Sequence, residues 1–324
     1  MKKSLAACAL ALATLLPTAQ ALAWDHKGHM TVALIAYRQL SKQDKAKVSK
    51  LLNSHPDLAL LRQHFKELGD PDPDEALFVT AARWPDLIRS DPRFFDEEHT
   101  DKEPPTKQLA GFPDMKKHKP WHFKDVGFSP DGTKLEAAPA GNNAEDKIGA
   151  FRGIIGDPKR TPTERAYYLA WLEHLVGDVH QPLHCAARFT HAHRHGDRGG
   201  NDFAIASLTI PTVDNPVTNL HSFWDDLFGD DKGIAAIRTL ADMAEASKPA
   251  QSASDLNTAD WIGESFDAAK SAVYGPLGGL KPDQQGTPTP KVSQKYFDDA
   301  KALALQRMKL AGHRLAAVIS ESLK

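Results

Sequence analysis

Cysteine is almost absent from this 324-residue chain, which has only Cys8 and Cys185. Cys8 lies in residues 1–23, where Lys2 and Lys3 precede an apolar stretch from Leu5 to Leu16 and a small-residue close at Ala21-Leu22-Ala23. That order is the pattern of a secretory signal. Cleavage between Ala23 and Trp24 is expected to deliver a periplasmic or secreted protein in which Cys185 stands alone. No intrachain disulfide can then form, although the destination would permit one, so stability has to come from packing or metal. No later segment approaches the roughly 20 apolar residues of a membrane span, and no cysteine follows the small-residue site to take a lipid, so no membrane anchoring is expected. Charge of one sign is lacking as well. The 40 basic residues less Lys2 and Lys3 leave 38 against 42 acidic ones, a formal charge of −4 that offers no global basic surface. With 41% hydrophobic and 25% charged residues, the composition excludes a disordered chain, a collagen and a coiled-coil rod.

What is present is helical spacing almost throughout. Met30, Val32, Ala33, Leu34, Ala36 and Leu40 follow one face, and the pattern recurs around Ala76 to Ile88, Asp146 to Ile155 and Ala302 to Ile319. Thr161-Pro162-Thr163-Glu164, a threonine cap with proline in the first turn, announces what reads as the longest helix, which Pro182 is expected to end or kink. Only Asp202 to Pro211 looks like a short strand or hairpin. Segments near 100–120, 128–144 and 273–292 read as surface loops, not domain joints. No fixed-period repeat is found. A mainly α, single-domain fold over residues 24–324, with a short β-hairpin, is the expectation.

Histidine is the anomaly: 15 in all, seven of them between His174 and His221. In His174-Leu-Val-Gly-Asp178 and His221-Ser-Phe-Trp-Asp225 an imidazole and a carboxylate sit four apart, side by side on a helix. The apolar neighbours Leu175, Val176, Phe223 and Trp224 mean that each pair needs a partner, either a cation or its own buried ion pairing. His184 follows ten residues after His174, about 15 Å along an unbroken helix; unless Pro182 bends the chain, it points to a second metal shared with His221 and Asp225. His180 reads as packing or as a support behind the ligands. At a cleaved amino terminus, the α-amino group and carbonyl of Trp24 form a chelate that His29 could close.

Taken together, Trp24 with His29, Trp84-Pro-Asp86-Leu-Ile-Arg89, Trp121-His122-Phe123, the run from His174 to His184, Gly199-Gly200-Asn201 and Asn219-Leu-His221-Ser-Phe-Trp-Asp225 resemble the mung-bean-type single-strand nuclease and 3′-nucleotidase family, sister to the zinc-dependent phospholipases C. The resemblance implies a mostly helical fold and three zinc ions. It implies Asp86, His122, His174 and Asp178 for the first, His184, His221 and Asp225 for the second, and Trp24, His29 and a share of Asp178 for the third. Implied substrates are single-stranded DNA and RNA and 3′-nucleotides, with 5′-phosphorylated products. Asp86 would orient the attacking water as well as bind metal, Arg89 would steady the phosphoryl charge, Phe123 would stack on a base and Asp125 would bond its edge, with Asn201 a further substrate contact. On spacing alone Arg89 could be a solvated helix arginine and Phe123 a core residue. A monomer is expected.

Three features stand outside this set. The stretch His191-Ala-His193-Arg-His195-Gly-Asp197-Arg198 reads as a solvated loop in preference to a surface metal site or a basic edge. Cys185, beside His184, reads as a small buried apolar residue. The rival functions are a phospholipase C and a non-catalytic zinc-binding protein. Asp225, where the lipase branch prefers glutamate, and Phe123 with Asp125 speak against the first, and a zinc store needs a closed coordination shell.

Overall fold

The computed structural model describes residues 24–96, 107–137, 140–249 and 251–324; the expected signal segment lies outside them. Eleven α-helices are present among the described residues: α1 (His26–Gln39), α2 (Lys42–Leu52), α3 (Leu58–Leu68), α4 (Pro73–Ala81), α5 (Trp84–Ser90), α6 (Ala144–Gly156), α7 (Pro162–Asp178), α8 (Leu220–Asp225), α9 (Ile234–Ala246), α10 (Thr258–Ala268) and α11 (Gln294–Ser322). The strands are short. β1 (Val126–Phe128) pairs in parallel with β2 (Ala186–Arg188), and β3 (Ala204–Leu208) pairs antiparallel with β4 (Val217–Asn219). β3 lies within the expected stretch Asp202 to Pro211, whereas its partner β4 lies beyond it. The first pair joins chain segments far apart in sequence and gave no periodic signal.

Helix starts follow local chemistry. Asp25, Ser41, Asp72, Thr161, Asn219 and Ser293 each cap a helix by accepting a backbone amide of its first turn, and Pro73 and Pro162 occupy first-turn positions where no amide donor is missed. In α7 every residue from Leu169 to Asp178 is buried, so this helix runs through the core with neighbours on all sides. Helix α1 packs against α4, α9 and α11. Its crossing with α11 is close enough that a β-carbon on Gly312 would lie 2.4 Å from Ile35 Cγ2.

Several expectations are corrected. The longest helix is α11 with 29 residues, against 17 for α7. Its first turns, capped by Ser293, are largely polar and exposed, so apolar spacing revealed only the part from Ala302 onward. The Ala76 to Ile88 pattern is two helices, because the chain turns at Ala82 and Arg83 before α5 restarts with Pro85 in its first turn. Proline restricts the residue before it and lacks an amide, which suits a helix start and not an interior. Helix α7 stops at Asp178, four residues before Pro182, whose ring would strike the Asp178 carbonyl in a continued helix. Pro182 instead opens a 3₁₀ turn, Pro182–Cys185. The segment at 273–292 is not wholly loop, since a π-helix Ala269–Tyr274 and a 3₁₀ turn Gly275–Leu277 run into it. No described helix is long and apolar enough to cross a membrane.

Candidate metal centre

Asp25 starts the site. Its carboxylate accepts the Gly28 amide at 2.8 Å, capping α1, and its own amide donates to the Asp225 carbonyl at 3.1 Å. The chain at Trp24 is thereby docked against the end of α8, with the buried Trp24 indole donating to the Gly177 carbonyl at 3.1 Å. One turn into α1, His29 stacks on His174 of α7, ring centroids 3.8 Å apart and planes 16° from parallel. Asp86 comes from the first turn of α5, His122 from the 3₁₀ turn Lys119–His122, His184 from the turn at Pro182, and His221 with Asp225 from α8.

These side chains converge as three buried groups, each with ligand atoms within 4.8 Å of one another: His29, His174 and Asp178; Asp86, His122 and His174; His184, His221 and Asp225. Asp178 is the hinge. Its Oδ1 lies 3.4 Å from His29 Nε2, while its Oδ2 lies 3.2 Å from His122 Nδ1 and 3.3 Å from His174 Nε2. One carboxylate thus faces imidazoles from three separate elements.

The ring tautomers are set by backbone. His174 Nδ1 donates to the Ala82 carbonyl at 2.8 Å, His184 Nδ1 to the His122 carbonyl at 2.6 Å, and His221 Nδ1 to the Gly199 carbonyl at 2.6 Å. A carbonyl can only accept, so each Nδ1 bears the proton and each Nε2 presents a lone pair. His122 Nε2, His184 Nε2 and Asp225 Oδ2 are buried without a hydrogen-bond partner. Such atoms are costly to leave unmatched, and a cation satisfies them. Burial also weakens the charged forms: it pushes the carboxyls of Asp86 and Asp178 up to about 6, that of Asp225 well above the usual range, and the imidazoles of His122 and His221 down to about 4. Imidazole and carboxylate donors without sulfur suit zinc.

Around these three groups, Arg89 Nη1 lies 3.6 Å from Asp86 Oδ1 with its side chain largely covered, so it is not a solvated arginine. Phe123 and Asp125 are half-buried beside His122, and burial, with the Asp197 charge added, pushes the Asp125 carboxyl up to about 7. Asn201 spends its amide donor on its own turn, bonding the Arg198 carbonyl at 2.7 Å. His180 turns away from these groups: its ring faces Trp261, its Nδ1 donates to the Val176 carbonyl and its Nε2 accepts from Arg314. Cys185 is buried with its thiol directed to the Val179 carbonyl, and burial pushes that thiol up to about 12. His191 and His195 are exposed yet held, at 2.8 Å by Asp131 and 2.9 Å by Glu136. No further metal group forms there among the described residues.

Sequence reasoning missed Gln181, whose amide donates to Asp225 Oδ1 at 2.8 Å while its carbonyl accepts the Leu183 amide. Its place inside His180-Gln-Pro-Leu-His184 was the only available signal. Gly177 was passed over too, since nothing along one helix tells which partner ring needs the space.

The family model described as S1/P1 Nuclease matches residues 24–324. No curated protein matches the chain.

Proposed function

Since the chain belongs to the S1/P1 nuclease family, and is thereby a nuclease, we propose that it hydrolyses single-stranded DNA and RNA to 5′-phosphorylated products and also acts on 3′-nucleotides, with three zinc ions as cofactors. The observation carrying this reading is the Asp178 carboxylate set among His29, His122 and His174, with buried lone pairs around it. Asp86, His122, His174 and Asp178 would hold one ion; His184, His221 and Asp225 a second; the Trp24 amine and carbonyl, His29 and Asp178 the third. Bound there, zinc supplies Lewis acidity, activating water near neutral pH and neutralising phosphate charge, which lets a protein of net charge −4 hold a polyanion.

The chain's own groups do the rest. Asp86 orients the attacking water, and Arg89, one turn further along α5, steadies the charge that grows on the phosphoryl oxygens. The bond from phosphorus to the 3′ oxygen breaks and the phosphate stays on the 5′ side. Phe123 stacks on an unpaired base, a contact worth about 1 to 3 kcal/mol and indifferent to base identity, which favours single strands. Asp125 bonds the base edge, and Asn201 contributes at the rim. Residues 1–23 are a signal peptide, and residues 24–324 act as a monomeric domain in the periplasm or outside the cell, without a membrane anchor.

The test is zinc stoichiometry on the chain beginning at Trp24, with hydrolysis of single-stranded DNA, single-stranded RNA, duplex DNA and phosphatidylcholine micelles. Three zincs with turnover of single strands are expected. Lipid turnover without nucleic-acid turnover would move the protein to the phospholipase branch, and three tightly held zincs with no diester hydrolysis would make it a zinc store.

A further inference from the structure

The turn between Gly196 and Gly200 is bent against ordinary backbone preference. Gly196, Arg198, Gly199 and Gly200 have φ of 85, 53, 61 and 83°, all left-handed, and Arg198 has a β-carbon to accommodate. Gly199 is further confined, because a β-carbon there would stand 2.3 Å from the Leu183 carbonyl oxygen.

One buried carboxylate holds this shape. Asp197, 1% exposed, accepts the Arg188 amide on Oδ1 at 2.9 Å and the Tyr274 hydroxyl on Oδ2 at 2.8 Å; the Gly200 amide faces the same carboxylate, and the Asp197 carbonyl accepts the Asp202 amide at 3.1 Å. Tyr274 is fully buried and ends the π-helix Ala269–Tyr274, a coil that is rare and often marks functional sites. Its ring is fixed edge-on by Phe128 and Phe203, at 5.2 and 5.6 Å.

The product of this arrangement is a carbonyl aimed at a ligand ring. Gly199 O receives His221 Nδ1 at 2.6 Å, and the His221 amide donates to the Gly200 carbonyl at 3.3 Å, so the turn grips both ring and backbone of the first residues of α8. His221 Nε2 is left 3.4 Å from Asp225 Oδ2, inside the group that also contains His184. A weaker grip on Gly199 would free the imidazole to rotate or to take its proton on the other nitrogen, where it could not bind metal.

We propose that Asp197 and Tyr274 are positioning residues for the His184, His221 and Asp225 group: acting through the Gly199 carbonyl, they set the tautomer and aim of His221 and so the zinc affinity of this group alone. The proposal rests on the reading of that group as a zinc site.

Tyr274→Phe keeps the ring packing and removes only the donor to Asp197; Asp197→Asn removes an acceptor. Both are compared with the wild type, each expressed from residues 1–324, by zinc titration against a competing chelator. Long-range proton–nitrogen spectra of the metal-free proteins report imidazole tautomers. We expect one of three zincs to bind about 10- to 100-fold more weakly in Tyr274→Phe, with the other two unchanged. His221 should change from a single Nδ1–H form to a mixture, while His174, held by Ala82, stays as it is. Unchanged affinity and tautomer in Tyr274→Phe would overturn the proposal. So would equal weakening of all three sites with a lowered melting temperature of the metal-free protein, which marks a general structural role. If the wild type bound fewer than three zincs, the zinc reading would fail, and the His221 tautomer would still decide the positioning claim.

Discussion

Gly177 makes room for His29: a β-carbon at position 177 would stand 2.9 Å from His29 Nδ1 and 3.2 Å from its Cε1. Helix α7 therefore accepts the imidazole of α1 only because one residue between His174 and Asp178 has no side chain. The Gly177 carbonyl also receives the Trp24 indole, so a single helical position serves both ends of the amino-terminal segment.

Gly177→Ala separates helix propensity from site geometry. Alanine in a helix interior is ordinarily favoured over glycine by about 1 kcal/mol, yet here the methyl group displaces a ring. The variant should keep or nearly keep its metal-free melting temperature while losing the zinc of the His29 group and at least ~10-fold in rate. A variant with full zinc content and full activity would show that the ring has space to spare.

Asp178→Asn should lose metal and rate together. An amide of the same shape cannot match the charge of a carboxylate facing three imidazoles, so the loss should exceed the roughly 10- to 100-fold typical of removing an outer support. Metal analysis alongside single-strand hydrolysis checks this, and unchanged zinc content would contradict the shared role.

A residue left in front of Trp24 should abolish the third site and most activity, because the α-amino group becomes a peptide nitrogen that cannot coordinate. Comparing zinc content and rate for chains beginning at Trp24 and one residue earlier decides it; an extended chain of full activity would refute the terminal ligand.

Zinc affinity should fall as pH drops below about 6. In the metal-free protein burial raises Asp86 and Asp178 to about 6, so below that value zinc must displace their protons. His122 and His221, lowered by burial to about 4, are already neutral there and should not compete. Zinc titrations between pH 5 and 7, at up to about tenfold per pH unit per carboxyl, measure the effect. An affinity that stays constant from pH 7 down to 5 would contradict this.

Away from the site, His55 should contribute to acid sensitivity. Burial lowers its pKa from 6.5 to about 3, and its Nδ1 accepts the Asp57 amide at 3.1 Å. Between these values the unfolded chain binds the extra proton, so stability is lost as pH falls through the window, by up to about 1.4 kcal/mol per pH unit. Denaturant unfolding of the wild type and His55→Gln should diverge with pH from about 6.5 to 3, the wild type losing more; parallel curves would rule the residue out.

Much of this molecule was readable from local pattern. The cap at Thr161, the end of α7 ahead of Pro182 and the strand β3 near Asp202 each depend on a few adjacent residues. The pairing of β1 with β2 and the π-helix before Gly275 depend on contacts distant in sequence, and they carried no periodic signal. Gln181 bonds Asp225 and Tyr274 bonds Asp197, yet no spacing rule separates these three from ordinary polar residues.

The amino-acid order alone determined which donor atoms exist and which stand together on one helix. A four-residue step returns to the same face, and His174 with Asp178 and His221 with Asp225 accordingly lie 3.3 and 3.4 Å apart. Only tertiary packing decided that Asp178 would look toward α1 and the turn at His122 as well, and that the carbonyls of Ala82, His122 and Gly199 would select one tautomer for each facing ring. Backbone geometry governs neighbours within a turn, whereas the meeting of side chains from separate elements is settled by how the whole core fills its volume.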